Sequence, residues 1–438
     1  MISNIRYKNF KAFSELNIDL APITLFLGPN NSGKSSILSG IRILNQTLNS
    51  TDPNVSMLLR GKNGDFGTYK DIVFGNSTKR HMEIGISVMP KKPIYKIDLD
   101  LKYKYRPKRQ EIIAKNIYFK DNRQCMSMSY SEDSDKFLLD VISNVEVPAS
   151  IKATVSKGLL VDNFIPVFRS RRYYGDDEIT QTQRFLDELN MKKLMFLNRH
   201  SENMRQELRN IEYIGAMRIP PQRTFMYTGE NRKFVGSSGE HSVNILAMDT
   251  LRKGNKSKSI KHKVEQWLNA ADIASELVIH RISDRHFELK IRNKETGELE
   301  NYADVGYGNS QILPVLVAGY NLDEGKAIII EEPEIHLHPK AQFCIGDYLK
   351  DLYNQGVQSL VETHSEHLII RMQQLIAAKE LAPEDVAIYY IWPEGTTKHI
   401  KRINMDLQGQ FINEWPRGFF PERYKAAKDL SRIRYGVL

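Results

Sequence analysis

Cysteine is nearly missing from this chain: among 438 residues only Cys125 and Cys344 occur. Two cysteines exclude a disulfide framework and a cysteine-rich zinc site, and they suit a reducing cytoplasm. Long apolar runs are missing too. The best candidate, 312–320, is short and interrupted by Pro314, well below the roughly 20 apolar residues that a membrane helix needs. The opening MISNIRYKNFKAF is polar and basic with no apolar stretch behind it, which argues against a secretory leader. Charge of one sign is also modest. The excess of 62 Lys+Arg over 53 Asp+Glu leaves +9, a faint pointer to nucleic acid when spread over the whole length. The remainder, 41% hydrophobic and 26% charged residues, is the composition of a soluble globular protein. A cytoplasmic chain without membrane contact is expected, long enough for two or three cores.

The strongest chemistry lies near the start. Residues 23–27 (ITLFL) form an apolar run suited to a buried strand, and Gly28-Pro29-Asn30-Asn31-Ser32-Gly33-Lys34-Ser35 satisfies G-x-x-x-x-G-K-[ST] at every required position. Behind it Ile37, Leu38, Ile41 and Leu44 recur at helical spacing, so the loop joins a strand to a helix. The glycines let the backbone curl until successive N–H groups face a phosphate, and the helix N-terminus adds positive potential. Gly28, Asn30, Asn31, Ser32, Gly33, Lys34, Ser35 and Ser36 are therefore candidate nucleotide-binding residues. Lys34 can reach the β and γ phosphates of ATP, and the Ser35 hydroxyl can ligate Mg²⁺.

Residues 327–332 read Ala-Ile-Ile-Ile-Glu-Glu, a buried parallel strand that ends in two carboxylates. Alternation along a strand sends the two side chains different ways. Glu331 is the candidate Mg²⁺ ligand, in a place where many nucleotide-binding proteins have Asp, and Glu332 is the candidate base that polarises the attacking water. A further strand, 357–362 (VQSLVE), runs into Thr363-His364-Ser365. An imidazole at that strand end can contact the γ-phosphate and the water, so the expected catalytic set is Glu332, His364 and Lys34. Between the two strands Ala341, Ile345, Tyr348, Leu349 and Leu352 form one apolar helical stripe, opened by Pro339 and stopped by Gly356. Strand, helix, strand of this size makes a right-handed parallel unit.

The order of P-loop, Glu-Glu strand and Thr-His-Ser resembles the ABC-type ATPase heads of the structural-maintenance-of-chromosomes (SMC) and Rad50 group. That resemblance implies ATP and Mg²⁺ as ligands, and heads that sandwich ATP in a homodimer or higher homo-oligomer. Residues 5–13 (IRYKNFKAF) look like the start of such heads, with Lys11 in the place of the basic residue that approaches nucleotide. The segment 305–314 (VGYGNSQILP) stands where such heads carry the signature that caps the partner's γ-phosphate. Gly306 replaces the usual Ser, Gly308 keeps the second Gly, and Ser310 is the candidate for the missing hydroxyl.

This variant points towards the overcoming-lysogenization-defect (OLD)-like ATPases. Segments 213–221 (YIGAMRIPP), 235–240 (VGSSGE) and 414–420 (EWPRGFF) are similar to bacterial ATPases carrying the uncharacterised domain DUF3696. The resemblance covers residues 1–76 and 210–425. It implies an α/β fold, a P-loop ABC-type head with a mixed sheet and an antiparallel β-meander. It also implies the ATPase subunit of a bacterial anti-phage system, either Septu-like with a separate HNH nuclease or PARIS-like with a separate toxic effector.

The middle is less distinctive. Short alternating runs from 81 to 130 predict an antiparallel meander, 64–71 reads as a loop, and 140–212 reads as helical and charged. The expected organisation is an N-terminal ATPase lobe at 1–135, a helical insertion at 136–212 and a C-terminal ATPase lobe at 213–438. Basic residues cluster at 91–109, 252–263 and 423–434. With Tyr95, Tyr103 and Tyr105 interleaved, the first cluster fits a surface for non-specific DNA or an ordinary solvated sheet face. Residues 386–395 superficially resemble the first strand of a Toprim nuclease with Glu394, yet no Asp-x-Asp follows, so no nuclease site is expected. The function expected is an ATP-driven switch in antiviral defence that controls a nuclease or toxin. The alternatives are a DNA-acting OLD-type nuclease or repair ATPase, and a transporter ATPase, which the missing LSGGQ-like signature disfavours.

Overall fold

The structure, a computed structural model, describes residues 1–90, 95–142, 144–149, 152, 156, 159–168, 190–230, 232–253, 260–395 and 397–416. The chain forms two units, Met1–Leu20 with Ser36–Ile211 and Ala21–Ser35 with Glu212–Leu438. The P-loop thus belongs to the unit built mainly from the second half of the sequence.

In the first unit an eight-stranded sheet runs in the order Val145–Glu146, Lys136–Ile142, Cys125–Ser131, Glu111–Lys120, Ile97–Arg106, Met82–Val88, Ile2–Phe10, Phe13–Asp19. Every pairing in it is antiparallel. Ile97, Leu99, Leu101 and Tyr103 are buried while the residues between them are partly exposed, the period-two pattern that made the meander legible. The P-loop helix, Lys34–Leu48, buries Ile37, Leu38, Ile41 and Leu44. A Cβ on Gly40 of this helix would lie 2.3 Å from the Tyr7 hydroxyl, which donates to the Ile37 carbonyl at 2.6 Å.

Two stretches differ from expectation. Where a helical insertion was expected from 136, the strands Lys136–Ile142 and Val145–Glu146 extend the sheet, and Leu159–Asp162 pairs with Ile165–Phe168. Only Asn190–Arg209 is a long helix among the described residues of that span. In the first of these strands a register shift between Leu139 and Val141, a bulge, breaks the two-residue alternation by which a strand is recognised. The expected loop at 64–71 contains a two-residue strand, Gly64–Asp65, and a helical turn, Tyr69–Ile72.

Five described members of the first basic cluster are paired. Lys96 faces Asp98, Lys102 faces Glu83 at 3.1 Å, Lys104 faces Glu132 at 2.6 Å, and Arg106 and Arg109 face Asp135. Lys102 and Glu83 are opposite each other on neighbouring strands, and such ion pairs are what a solvated sheet face presents. Of the second cluster, Lys261 faces Glu265 at 3.3 Å and Lys263 donates to Gln355 at 2.8 Å, while residues 91–94, 254–259 and 417–438, with the basic residues they hold, lie outside the described residues.

The second unit holds a six-stranded sheet in the order Ile211–Ile214, Ala327–Glu331, Gln358–Glu362, Ile23–Leu27, Val386–Glu394, Thr397–Ile403. Ala327–Glu331, Gln358–Glu362, Ile23–Leu27 and Val386–Glu394 are parallel neighbours, and Thr397–Ile403 is antiparallel to the last of them. The segment compared above with a Toprim strand is therefore an integral strand of the P-loop sheet. Ile23, Leu25, Leu27, Ile328, Ile330, Val361 and Ile388 are buried in one core with the apolar face of Pro339–Asn354. That helix has Pro339 in its first turn behind the N-cap His338, and Gly356, at φ 75°, follows its end. Glu366–Ala377 is the next crossover helix, capped by the Ser365 hydroxyl. A smaller sheet combines Phe225–Met226, His286–Asn293, Ala274–Arg281 and Leu299–Asn301. The α/β class with a large antiparallel sheet is as the sequence implied. No described helix is long and apolar enough to cross a membrane.

Candidate nucleotide site

The loop after Ile23–Leu27 needs its glycines. Gly28 has φ 149°, and a Cβ there would lie 2.0 Å from the Ile391 carbonyl oxygen on the neighbouring strand. Gly33 (φ 103°) and Asn31 (φ 60°) are also left-handed, which curls the loop as phosphate binding requires. Ser32 is fully buried, and its hydroxyl has no hydrogen-bond partner. Asn30 and Asn31 are exposed, and Lys398 donates to the Asn31 carbonyl at 2.8 Å. Lys34, 4% exposed, donates through Nζ to the carbonyls of Gly28 at 2.9 Å and Pro29 at 3.0 Å. Burial lowers its pKa, and Glu362, Glu332 and Glu334 oppose that shift.

Glu331 closes its strand in register with Glu362, and its Oε2 accepts from the Tyr213 hydroxyl at 3.0 Å. Glu332 follows at φ 45°, a left-handed residue of the kind that costs about 1–3 kcal/mol and clusters at functional sites. Its N–H donates to the Glu362 carbonyl at 2.8 Å. The turn, and not alternation alone, separates the two carboxylates. Thr363 N–H donates to the Phe26 carbonyl at 3.1 Å, which fixes His364 directly after the strand beside the P-loop strand. His364 donates its backbone N–H to the buried Glu334 carboxylate, and its Nε2 lies 3.8 Å from Glu332 Oε1. Burial, then Lys34, lowers the imidazole pKa against the pull of Glu332. A neutral ring results at pH 7.

Reasoning from the sequence missed three charged residues here. Arg218, 5% exposed, donates through Nη2 to the carbonyls of Glu331 at 2.8 Å and Glu332 at 3.2 Å. Burial pulls its pKa down to about 10, against Glu334, Glu332 and Glu331. It is a positioning residue for the turn that carries Glu332. Glu334 and Glu362 are buried carboxylates. The desolvation of Glu334 raises its pKa, and burial followed by the neighbouring Glu331 charge pushes Glu362 from the ordinary 4.5 up to about 7. Only the string VQSLVETHS could have suggested Glu362, and nothing in it indicates what the side chain meets.

The raised Glu362 pKa makes stability depend on pH. The folded state keeps the proton longer than the unfolded state, so the stabilisation is complete below about pH 4.5 and is lost as pH rises through about 7. In metal-free buffer the melting temperature is expected to fall between pH 5.5 and 8, by the equivalent of about 2 kcal/mol. Scanning calorimetry of Glu362→Gln checks this: the slope flattens if Glu362 causes it.

Other predicted residues are placed differently. The helix Tyr307–Tyr320 starts after Gly306, which gives it no side-chain cap. A Cβ on Gly308 would lie 2.1 Å from the His336 carbonyl oxygen, so this glycine permits close approach to the loop that follows Glu332. Ser310 is 1% exposed. Its hydroxyl lies inside the fold, contrary to the expectation that it faces a partner's phosphate, because this helix is apolar nearly all round and buried. Lys11 and Ser36 belong to the first unit. Lys11, at φ 46°, places Nζ 5.2 Å from the Phe66 ring centroid.

The residues fit Mg²⁺. Ser35 offers a hydroxyl, and Glu331 and Glu362 offer carboxylates, a set of oxygen donors that suits a hard cation. Among the described residues no three His, Cys, Asp or Glu side chains converge as a self-sufficient metal site. Mg²⁺ held by one or two carboxylates and the substrate's phosphates requires none.

Residues 1–369 match the sequence profile of the AAA ATPase domain. No curated protein matches the chain. Among solved structures, an SMC head bound to the C-terminal winged-helix domain of ScpA is similar at 11% identity and TM-score 0.47, over 93% of this chain and 98% of that one. The SMC head domain from Thermotoga maritima gives 10% and 0.41, over 92% and 99%. An Smc head with an extended coiled coil, bound to the C-terminal domain of ScpA derived from Pyrococcus furiosus, gives 12% and 0.44, over 99% of each.

Proposed function

The chain belongs to the AAA ATPase domain family, and from that premise we propose a nucleotide-driven switch in prokaryotic antiviral defence. ATP binds at the P-loop, is hydrolysed there, and the two states control a separate effector such as an HNH nuclease. The observation that carries the nucleotide chemistry is the gathering of Lys34, Glu332 and His364 at the C-terminal ends of parallel strands in one sheet. Open α/β sheets bind ligands at that end.

In this reading the loop N–H groups from Gly28 to Ser36 cradle the phosphates, and Lys34 neutralises their charge. Ser35 and Glu331 would hold Mg²⁺, which when bound would supply Lewis-acid stabilisation of the phosphate charge. Glu332 accepts a proton from the attacking water, and neutral His364 hydrogen-bonds the γ-phosphate.

The finer reading is supported by the likeness of 213–221, 235–240 and 414–420 to bacterial ATPases carrying the domain DUF3696, many of which belong to anti-phage systems. A paired head, in which ATP binding favours the closed dimer and hydrolysis releases it, is supported by the resemblance of 305–314 in position to the signature of related heads, with Gly306 and Gly308, and not the buried Ser310, left to meet the partner's nucleotide. Light scattering on the Glu332→Gln chain tests the switch. Mass should double with ATP and return without it, and an unchanged mass removes the dimer from the mechanism.

A further inference from the structure

Glu362 has no assigned role in that chemistry, yet it meets the loop directly. It ends the strand that pairs with both Ile23–Leu27 and Ala327–Glu331, opposite Phe26 on one side and Glu331 on the other. Register partners in a parallel ladder project to the same face, so the Glu331 and Glu362 carboxylates are neighbours. Ser35, the serine of the G-K-S triplet, donates its hydroxyl to Glu362 Oε1 at 3.1 Å. The Glu362 side chain is only 7% exposed, and its second oxygen, Oε2, has no hydrogen-bond partner. A buried carboxylate with an idle oxygen is costly unless something compensates it. Lys34 compensates it poorly: Nζ is 3.9 Å from Oε1 and already donates to two carbonyls.

We propose that Glu362 is a second protein carboxylate of the divalent-cation site, sharing with Ser35 and Glu331 the Mg²⁺ that accompanies ATP. The inference rests on the P-loop reading above and deepens it. Two carboxylates from adjacent strands and one hydroxyl from the facing loop form an oxygen site, and the nucleotide's phosphates complete the shell. The competing role is simpler, with Glu362 as nothing more than a counter-ion for Lys34. The two roles differ in what they do to nucleotide binding without metal.

The test uses the full chain, Mn²⁺ as the probe and a fluorescent ATP analogue, titrated once in EDTA and once with Mn²⁺. Glu362→Gln should leave the EDTA affinity within about twofold and cut the affinity gained from Mn²⁺ by about tenfold or more, the range over which metal-site partners act. An unchanged Mn²⁺ gain overturns the proposal. So does a loss in EDTA as large as the loss with Mn²⁺, because that is the signature of a lysine counter-ion. If Glu362→Gln does not fold, Glu362→Asp decides: it keeps the charge but shortens its reach, and a gain equal to wild type overturns the assignment. If the wild-type chain binds no nucleotide in EDTA or Mn²⁺, the P-loop reading itself has failed. The Mn²⁺ spin-resonance spectra of wild type and Glu362→Gln without nucleotide then decide Glu362, and identical spectra overturn it.

Discussion

Glu332→Gln lowers ATP turnover by about a hundredfold or more while nucleotide binding persists, since loss of a general base typically removes a factor of 10²–10⁴. Glutamine keeps the shape of the side chain but cannot take up the water's proton. The backbone that places it is untouched: the N–H still reaches the Glu362 carbonyl and the carbonyl still receives Arg218. The φ of 45° is no harder for Gln than for Glu. His364, 3.8 Å away, keeps its place after the Thr363 anchor. Single-turnover phosphate release and retention of labelled ATP on the chain measure the two halves of this expectation. Release at the wild-type rate would remove Glu332 from the role of base.

The second large effect belongs to Gly28→Ala. The added Cβ would lie 2.0 Å from the Ile391 carbonyl oxygen, a backbone atom that cannot rotate aside, at a φ of 149° that side chains avoid. Strain and overlap together should destabilise the fold by about 3 kcal/mol or more, and the loop's phosphate cradle should be lost with it. Gly297→Ala is the matched control. Its φ is 73° and nothing lies within 4 Å of its Cβ, so it carries the conformational cost of about 1 kcal/mol without the collision. Thermal melts of the two variants, with ATP-analogue binding, separate the contributions. Equal losses would show that the approach to Ile391 is unimportant.

The parts of the site that were legible from the sequence are those written in consecutive residues. The G-K-S loop, the Glu331-Glu332 pair and Thr363-His364 each announce themselves as a strand followed by chemistry, and the sheet brings them together. Glu362 and Arg218 were not legible, because their meaning depends on register and on approach in space. Ser35 and Glu362 are 327 residues apart in the chain and 3.1 Å apart in the fold. Arg218 reads as an ordinary polar residue until its burial behind the turn at Glu331 and Glu332 is seen. Ser310 misled in the opposite direction. Its neighbours look like a surface signature, but the helix they start is apolar enough to be enclosed. The bulge at 139–141 hid a strand by interrupting its alternation.

Ile23–Leu27 lies in the sheet between Gln358–Glu362 and Val386–Glu394, so a strand that leaves the ribosome early is flanked only by strands that leave it late. Until those later strands have been made, five consecutive buried residues have neither of their partners. Such unpaired apolar strands are what nascent-chain chaperones hold and what aggregation recruits. The close approach of Gly28 to the Ile391 carbonyl likewise forms only once the last of the parallel strands has arrived.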